Sequence, residues 1–186
     1  MLPFAPMKRL FLLGLVLSLA AVATVAWGLE PDKNGWYFTG SGVRTKSVAF
    51  VTVKVYAIRH DMKGLPPAKS KQAVIEADMD KKLTWRMLRD VDGEKIQGAL
   101  KDAYAMNGYA DGGKIGQFLG VFTGKELKEG TYVTIAYNSA TKTTSINVST
   151  GGNATIAGPD FMNATWKIWF GKIDQPTLSD AMIGNL

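Results

Sequence analysis

Arg44, set ahead of a β-type run that carries Tyr56, is the residue of this chain whose charge raises the question of ligand chemistry. In the stretch FTGSGVRTKSVAFVTVKVYAI, Phe38 to Ile58, this arginine stands alone, with no acid beside it in sequence. A guanidinium makes charge-assisted, often bidentate hydrogen bonds to a carboxylate, and a phenol adds one neutral bond. The two converge only if the chain reverses between them, because this much straight strand spans roughly 40 Å at about 3.3 Å per residue. Thr52 shares the parity of both residues, so it is expected on the same face. A slip of one residue in the pairing would carry Thr52 and Tyr56 together to the other face. The plainer reading of Arg44 is a surface arginine beside a glycine turn, paired with an acid distant in sequence.

Other candidates are weaker. His60 is the single histidine, which removes a histidine pair for metal binding and leaves one imidazole for acid–base work. It falls in the polar stretch RHDMKGLPPAKSK and is expected to be solvated. Asp90, Asp92 and Glu94 could perform acid–base chemistry only if their environments split their pKa values, and helix capping accounts for two of them. The segment GSGVRT lacks the third glycine and the following helix of a phosphate-cradling loop, and no Ser-His-Asp set is evident. The absence of cysteine excludes thiolate metal sites and thiol nucleophiles. No catalytic residue, cofactor or metal is therefore assigned.

The elements that must position Arg44 and Tyr56 are two strands, WYFTGSGV and VAFVTVKVYAI, read as joined near the glycines. RHDMKGLPPAKSK follows as a surface connection, then a short helix in QAVIEADM and a strand in KKLTWRMLRDV. Asp92 is placed to cap a helix over about Gly93 to Met106, with Glu94 in its first turn. Ile96, Ala99, Leu100 and Ala103 recur there at the spacing of one buried stripe, which predicts a helix lying on a sheet. NGYADGG is a loop, and KIGQFLGVF is helical despite its internal glycines. GTYVTIAYN, TTSINVS and ATIAG make an antiparallel meander with SATK as the first reversal. Pro159 opens a helix that Gly171 ends, and TLSDAMIG is a last short helix. Phe161, Trp166, Trp169 and Phe170 read as core, with one or two free to line a cavity. The order favours an α+β domain over a doubly wound sheet.

At 186 residues, 46% hydrophobic and 20% charged, the chain suits one core. Lys8 and Arg9 precede an apolar run from Leu10 to Ala26, and small residues follow at Ala26 and Gly28, the pattern of a secretory signal peptide over residues 1–28 ahead of a domain over 29–186. An uncleaved anchor is the alternative. The mature chain is expected outside the cytoplasm, with the periplasm as first choice and no stable membrane span. Packing alone must then hold a fold without cysteines. The charge of +6 falls to +4 without Lys8 and Arg9, and the remaining lysines are scattered. This disfavours nucleic acid as a partner, and the chain is expected to be a monomer.

From Trp36 to Gly184 the sequence resembles the chalcone isomerase family, particularly its bacterial chalcone isomerase-like members. The resemblance rests on GSGVR followed by KVYAI, on LRDVDGEKI leading into a helix, on the meander from Gly130, and on GPDFMNATWKIWFGKIDQPTLSDAMIG. It implies an open-faced β-sandwich, a curved antiparallel sheet covered by helices with a cleft between them. In the plant enzymes an arginine matching Arg44 helps bind and activate a chalcone. A threonine matches Tyr56, a tyrosine and an asparagine match Ile96 and Ala103, and a threonine matches Ile168. Only the arginine survives here, so the groups that hold the ordered water and polarise the ketone are missing. The fatty-acid-binding, non-catalytic relatives are similar in setting a tyrosine beside the arginine. The resemblance thus implies an exported, non-catalytic binder of a fatty acid or similar amphipathic carboxylate. Arg44 and Tyr56 would hold the head group, and Ile96, Leu100, Ala103, Phe118, Phe161, Ile168 and Trp169 would wall the chain. An intramolecular lyase acting on a chalcone-like phenol is the alternative. An envelope interaction module without a small ligand is a third reading.

Overall fold

The computed structural model describes residues 29–186, and the expected signal peptide lies outside the described residues. Strands β1 (Tyr37–Val48) and β2 (Val51–Met62) form a long antiparallel hairpin. β2 then pairs with β3 (Lys81–Met87), which lies beside a later meander of three strands. A two-residue strand β4 (Val91–Asp92) pairs with β5 (Glu126–Leu127), and β6 (Tyr132–Asn138), β7 (Thr143–Val148) and β8 (Asn153–Ala157) complete the main sheet. The order across its six strands is β1-β2-β3-β6-β7-β8, antiparallel throughout.

Period-two patterning decides which face is covered. Leu83, Trp85 and Met87 on β3, Val133 and Ile135 on β6 and Ile146 on β7 are buried, while Thr84, Thr134 and Ser145 between them are half-exposed. Helices α1 (Lys71–Glu76), α2 (Gly93–Met106), α3 (Gly112–Leu119), α4 (Pro159–Phe170) and α5 (Pro176–Met182) accompany that sheet, and Phe161, Trp166, Trp169 and Phe170 of α4 are buried as expected. The α+β architecture, with its large antiparallel sheet and five helices, matches the expectation.

Three local expectations are corrected. The hairpin does not turn at the glycines: β1 runs through Gly40 and Gly42, and the reversal falls at Ala49 and Phe50, where Ala49 has φ +54°. The glycines instead admit α5, which packs on β1. A Cβ on Gly40 would sit 2.2 Å from the Ala181 carbonyl oxygen, and Gly40 itself has φ +152°, a conformation that excludes side chains.

His60 is not solvated. β2 continues through it to Met62, so the alternation of Ile58, His60 and Met62 points the ring into the core. Its Nε2 accepts from Trp166 Nε1 at 3.0 Å, and its Nδ1 lies 2.7 Å from Thr39 Oγ1, which also donates to the Met182 carbonyl at 2.8 Å. A neutral ring protonated at Nδ1 satisfies all of these partners, and burial, with Lys81 nearby, lowers its pKa to about 3. Lys81 is also buried and caps α1, donating to the carbonyls of Val74 and Ile75 at 2.8 and 2.9 Å.

Finally, α2 does not lie on the sheet. Asp92 caps it as expected, accepting from the Glu94 amide at 2.9 Å, but the helix packs on α4, α3 and the 3₁₀ turn Gly120–Phe122. Its buried stripe is Ile96, Leu100 and Tyr104, with Ala99 exposed. The gap left between α2 and the sheet is a cleft. Among the described residues no helix is long and apolar enough to cross a membrane.

Candidate functional site

The cleft has a volume of about 1020 Å³, at the upper limit of small-molecule sites. Its sheet wall is Val53, Val55 and Tyr56 of β2 with Trp85 of β3. The helical wall is Ile96, Leu100, Ala103 and Met106 of α2 with Ile168 and Trp169 of α4. Arg44, Lys46, Arg89 and Lys95 share the lining with Asp90, Asp92, Asp102, Glu126 and Asp174, so charges of both signs border the cleft.

Arg44 and Tyr56 meet here because they are direct partners across the hairpin. The pairing shifts between Arg44 and Thr45, so Val55 is an extra residue, a β-bulge in β2. The bulge explains one correction. It reverses the parity of β2, so Val53, Val55 and Tyr56 line the cleft, whereas Thr52 lies outside it, exposed and 3.5 Å from the Ser47 hydroxyl.

The Tyr56 ring stacks on Trp85 with centroids 4.9 Å apart, and Trp85 meets Trp169 at 5.3 Å. Trp169 Nε1 donates to the Tyr56 hydroxyl at 3.2 Å, leaving the phenolic proton with no acceptor among the described residues. Burial pushes the Tyr56 phenol above its ordinary pKa, so it is a neutral donor. The indole Nε1 of Trp85 is buried and has no partner among the described residues. Two unspent donors therefore lie in one aromatic cluster, and each calls for an acceptor.

Arg44 is not free. Its Nη1 lies 2.6 Å from Asp174 Oδ1 and its Nη2 donates to Oδ2 at 3.0 Å, in a bidentate pair that holds the Asp174 carboxyl below the ordinary carboxylate range. The chain thus supplies its own anion, which overturns the expectation of an arginine lacking a neighbouring acid and upholds the plainer reading that it pairs with a distant one. Asp174 belongs to the α4–α5 connection. Next to it, Gln175 accepts from the Thr45 amide and donates to the Val43 carbonyl, each at 3.0 Å, tying the connection to β1 at the bulge. The Arg44 side chain is 20% exposed and that of Asp174 69%.

Of the residues expected at the site, Arg44, Tyr56, Ile96, Leu100, Ala103, Ile168 and Trp169 all border the cleft. Phe118 and Phe161 do not. They contact each other with centroids 5.0 Å apart, fully buried in the core, where Phe161 stacks on Tyr104. Helical periodicity could identify them as buried but not which cavity they faced. Trp85, Val53, Val55 and Met106 were missed. The parity of Trp85 with Leu83 and Met87 was legible, but nothing local linked Asp174 to Arg44. Asp90, Asp92 and Glu94 act structurally: Asp90 accepts from the Glu129 amide and Lys128, Asp92 caps α2, and Glu94 accepts from the Gly124 amide.

A family profile described as chalcone isomerase-like matches residues 27–184. The chain belongs to the chalcone isomerase-like family. Among solved structures, this chalcone isomerase-like chain is similar to a fatty-acid binding protein of Arabidopsis thaliana, with a TM-score of 0.66 and 13% identity over 83% of this chain and 90% of the other. At that identity the likeness concerns the fold. Among curated proteins, no sequence matches significantly.

Proposed function

We propose that this chalcone isomerase-like protein is a non-catalytic binder of a fatty acid or similar amphipathic carboxylate. The observation that carries the reading is the cleft itself, where apolar walls from α2, α4 and β2 meet the unspent phenolic proton of Tyr56 beside a guanidinium. An acyl chain suits walls where Ile96, Ala103 and Ile168 replace the polar groups of the plant enzymes, and an acceptor-only head group suits the donors. Asp174 occupies Arg44 as an internal stand-in for that head group. It is the solvent-exposed member of the pair, so an incoming carboxylate exchanges one ion pair for another of equal kind. The structural likeness to a fatty-acid binding protein supports the same ligand class. Export through a signal peptide over residues 1–28, to the periplasm or beyond, completes the reading and rests on the sequence pattern.

The test is direct binding. Native mass spectrometry of the purified protein is expected to show a co-purified fatty acid, and titration with a long-chain acid is expected to saturate. Arg44→Ala should weaken affinity about tenfold or more, the scale of a charge-assisted bond. Asp174→Asn should strengthen it by up to about fivefold by removing the competitor. An Asp174→Asn protein that binds no more tightly would refute the exchange. Absence of any saturable binding would refute the whole reading.

A further inference from the structure

The β1–β2 hairpin reaches beyond the sheet that carries it. β3 pairs with β2 only as far as Tyr56, and the last bond between them runs from the Leu88 amide to the Val55 carbonyl, so residues 51–54 and their β1 partners form a two-stranded arm that overhangs by roughly 13 Å at about 3.3 Å per residue. At its end Phe50 is fully exposed and Val51 is 63% exposed, an apolar pair with no core to enter. Lys46 and Lys54 are exposed on the same arm, and the sequence from Lys33 to His60 contains no acid. Lys46 and Val53 of the arm also border the cleft, so whatever the arm touches lies at the cleft's mouth.

We propose that this arm docks on an anionic lipid surface, with Phe50 and Val51 entering the headgroup boundary and Lys46 and Lys54 meeting lipid phosphates. An aromatic tip flanked by lysines has the amphipathic character of interfacial anchors, and cations near an anionic leaflet add attraction that salt screens. A second copy of the chain is the competing occupant, since the arm has open strand edges. The lysines argue against it, because edge lysines oppose strand-to-strand pairing. The contact stands on the arm alone and requires nothing in the cleft, so its failure and the failure of the carboxylate reading are separate results.

The chain has no cysteine, so a single Val51→Cys, labelled with an environment-sensitive fluorophore, reports the arm alone in the full-length protein. Thr141→Cys, in the exposed turn between β6 and β7, reports the opposite end of the sheet. A local probe is needed because the run Leu10–Ala26 is itself apolar. On phosphatidylglycerol–phosphatidylcholine vesicles, the label at 51 is expected to shift to the blue and be quenched by brominated lipid, while the label at 141 is not. High salt, or the pair Phe50→Ser and Lys54→Glu, should reduce the quenching at least about fivefold. The proposal is overturned if the label at 51 stays aqueous on vesicle-bound protein, if both labels are quenched equally, or if the variant pair changes nothing. A blue shift at 51 that grows with protein concentration without vesicles would assign the arm to a second copy, and would overturn it too.

Discussion

Tyr56 shows how one side chain can pack in an aromatic cluster and still keep the donor that the proposed binding uses. Its ring fills the space over Trp85, its oxygen accepts from Trp169, and its proton is left for a guest. Tyr56→Phe should preserve the stack and lose that donor, weakening fatty-acid affinity about two- to tenfold in isothermal titration. His60 has the opposite role, with its ring nitrogens satisfied within the core. Its folded pKa of about 3 lies below the ordinary 6.5, so between these values the unfolded chain binds the extra proton and the native chain does not. Stability from this group is therefore full above pH 6.5 and falls as pH drops toward 3, by about 4 kcal/mol over the window. Urea denaturation of wild type against His60→Gln should show the wild type losing its advantage between pH 6.5 and 4. Parallel profiles would contradict the buried neutral ring.

At the scale of elements, a strand glycine and a helix glycine do different work. Gly40 lets β1 approach α5 to backbone contact, and Gly40→Ala should cost about 3 kcal/mol in chemical denaturation, because the neighbouring carbonyl has nowhere to go. Gly98, inside α2, would place its Cβ against nothing within 4 Å, so Gly98→Ala should stabilise by about 1 kcal/mol through helix propensity alone. The bulge at Val55 matters as much as either glycine. Through it Tyr56 joins Val53 on the cleft wall, and Thr52 turns away.

For the molecule as a whole, the proposed binding depends on a helix held off a sheet. α2 is tethered by α4, α3 and the turn Gly120–Phe122, so the cleft persists without collapse of α2 onto β2 and β3. Ala103→Trp should fill that gap, abolish fatty-acid binding and leave the melting temperature near that of the unliganded wild type. In the wild type, ligand at about a hundred times its Kd should add about 2.7 kcal/mol and raise the melting temperature by roughly 5–10 °C. The filled variant should show no such rise.

Local pattern in the sequence determined the elements: the period-two strands, the Asp92 cap, the Pro159 start and the Gly171 stop are set by neighbouring residues through backbone sterics and short hydrogen bonds. The same local rules, joined to the family likeness, brought Arg44, Tyr56, Ile96, Ala103 and Ile168 to one site. The environment of each was decided by tertiary structure. Asp174 reaches Arg44 from 130 positions away, the bulge resets the parity of β2, and His60 passes from an apparent loop into the core. These depend on distant chain segments meeting, and no short-range pattern encodes the partner that closes an ion pair or the gap that a tethered helix leaves.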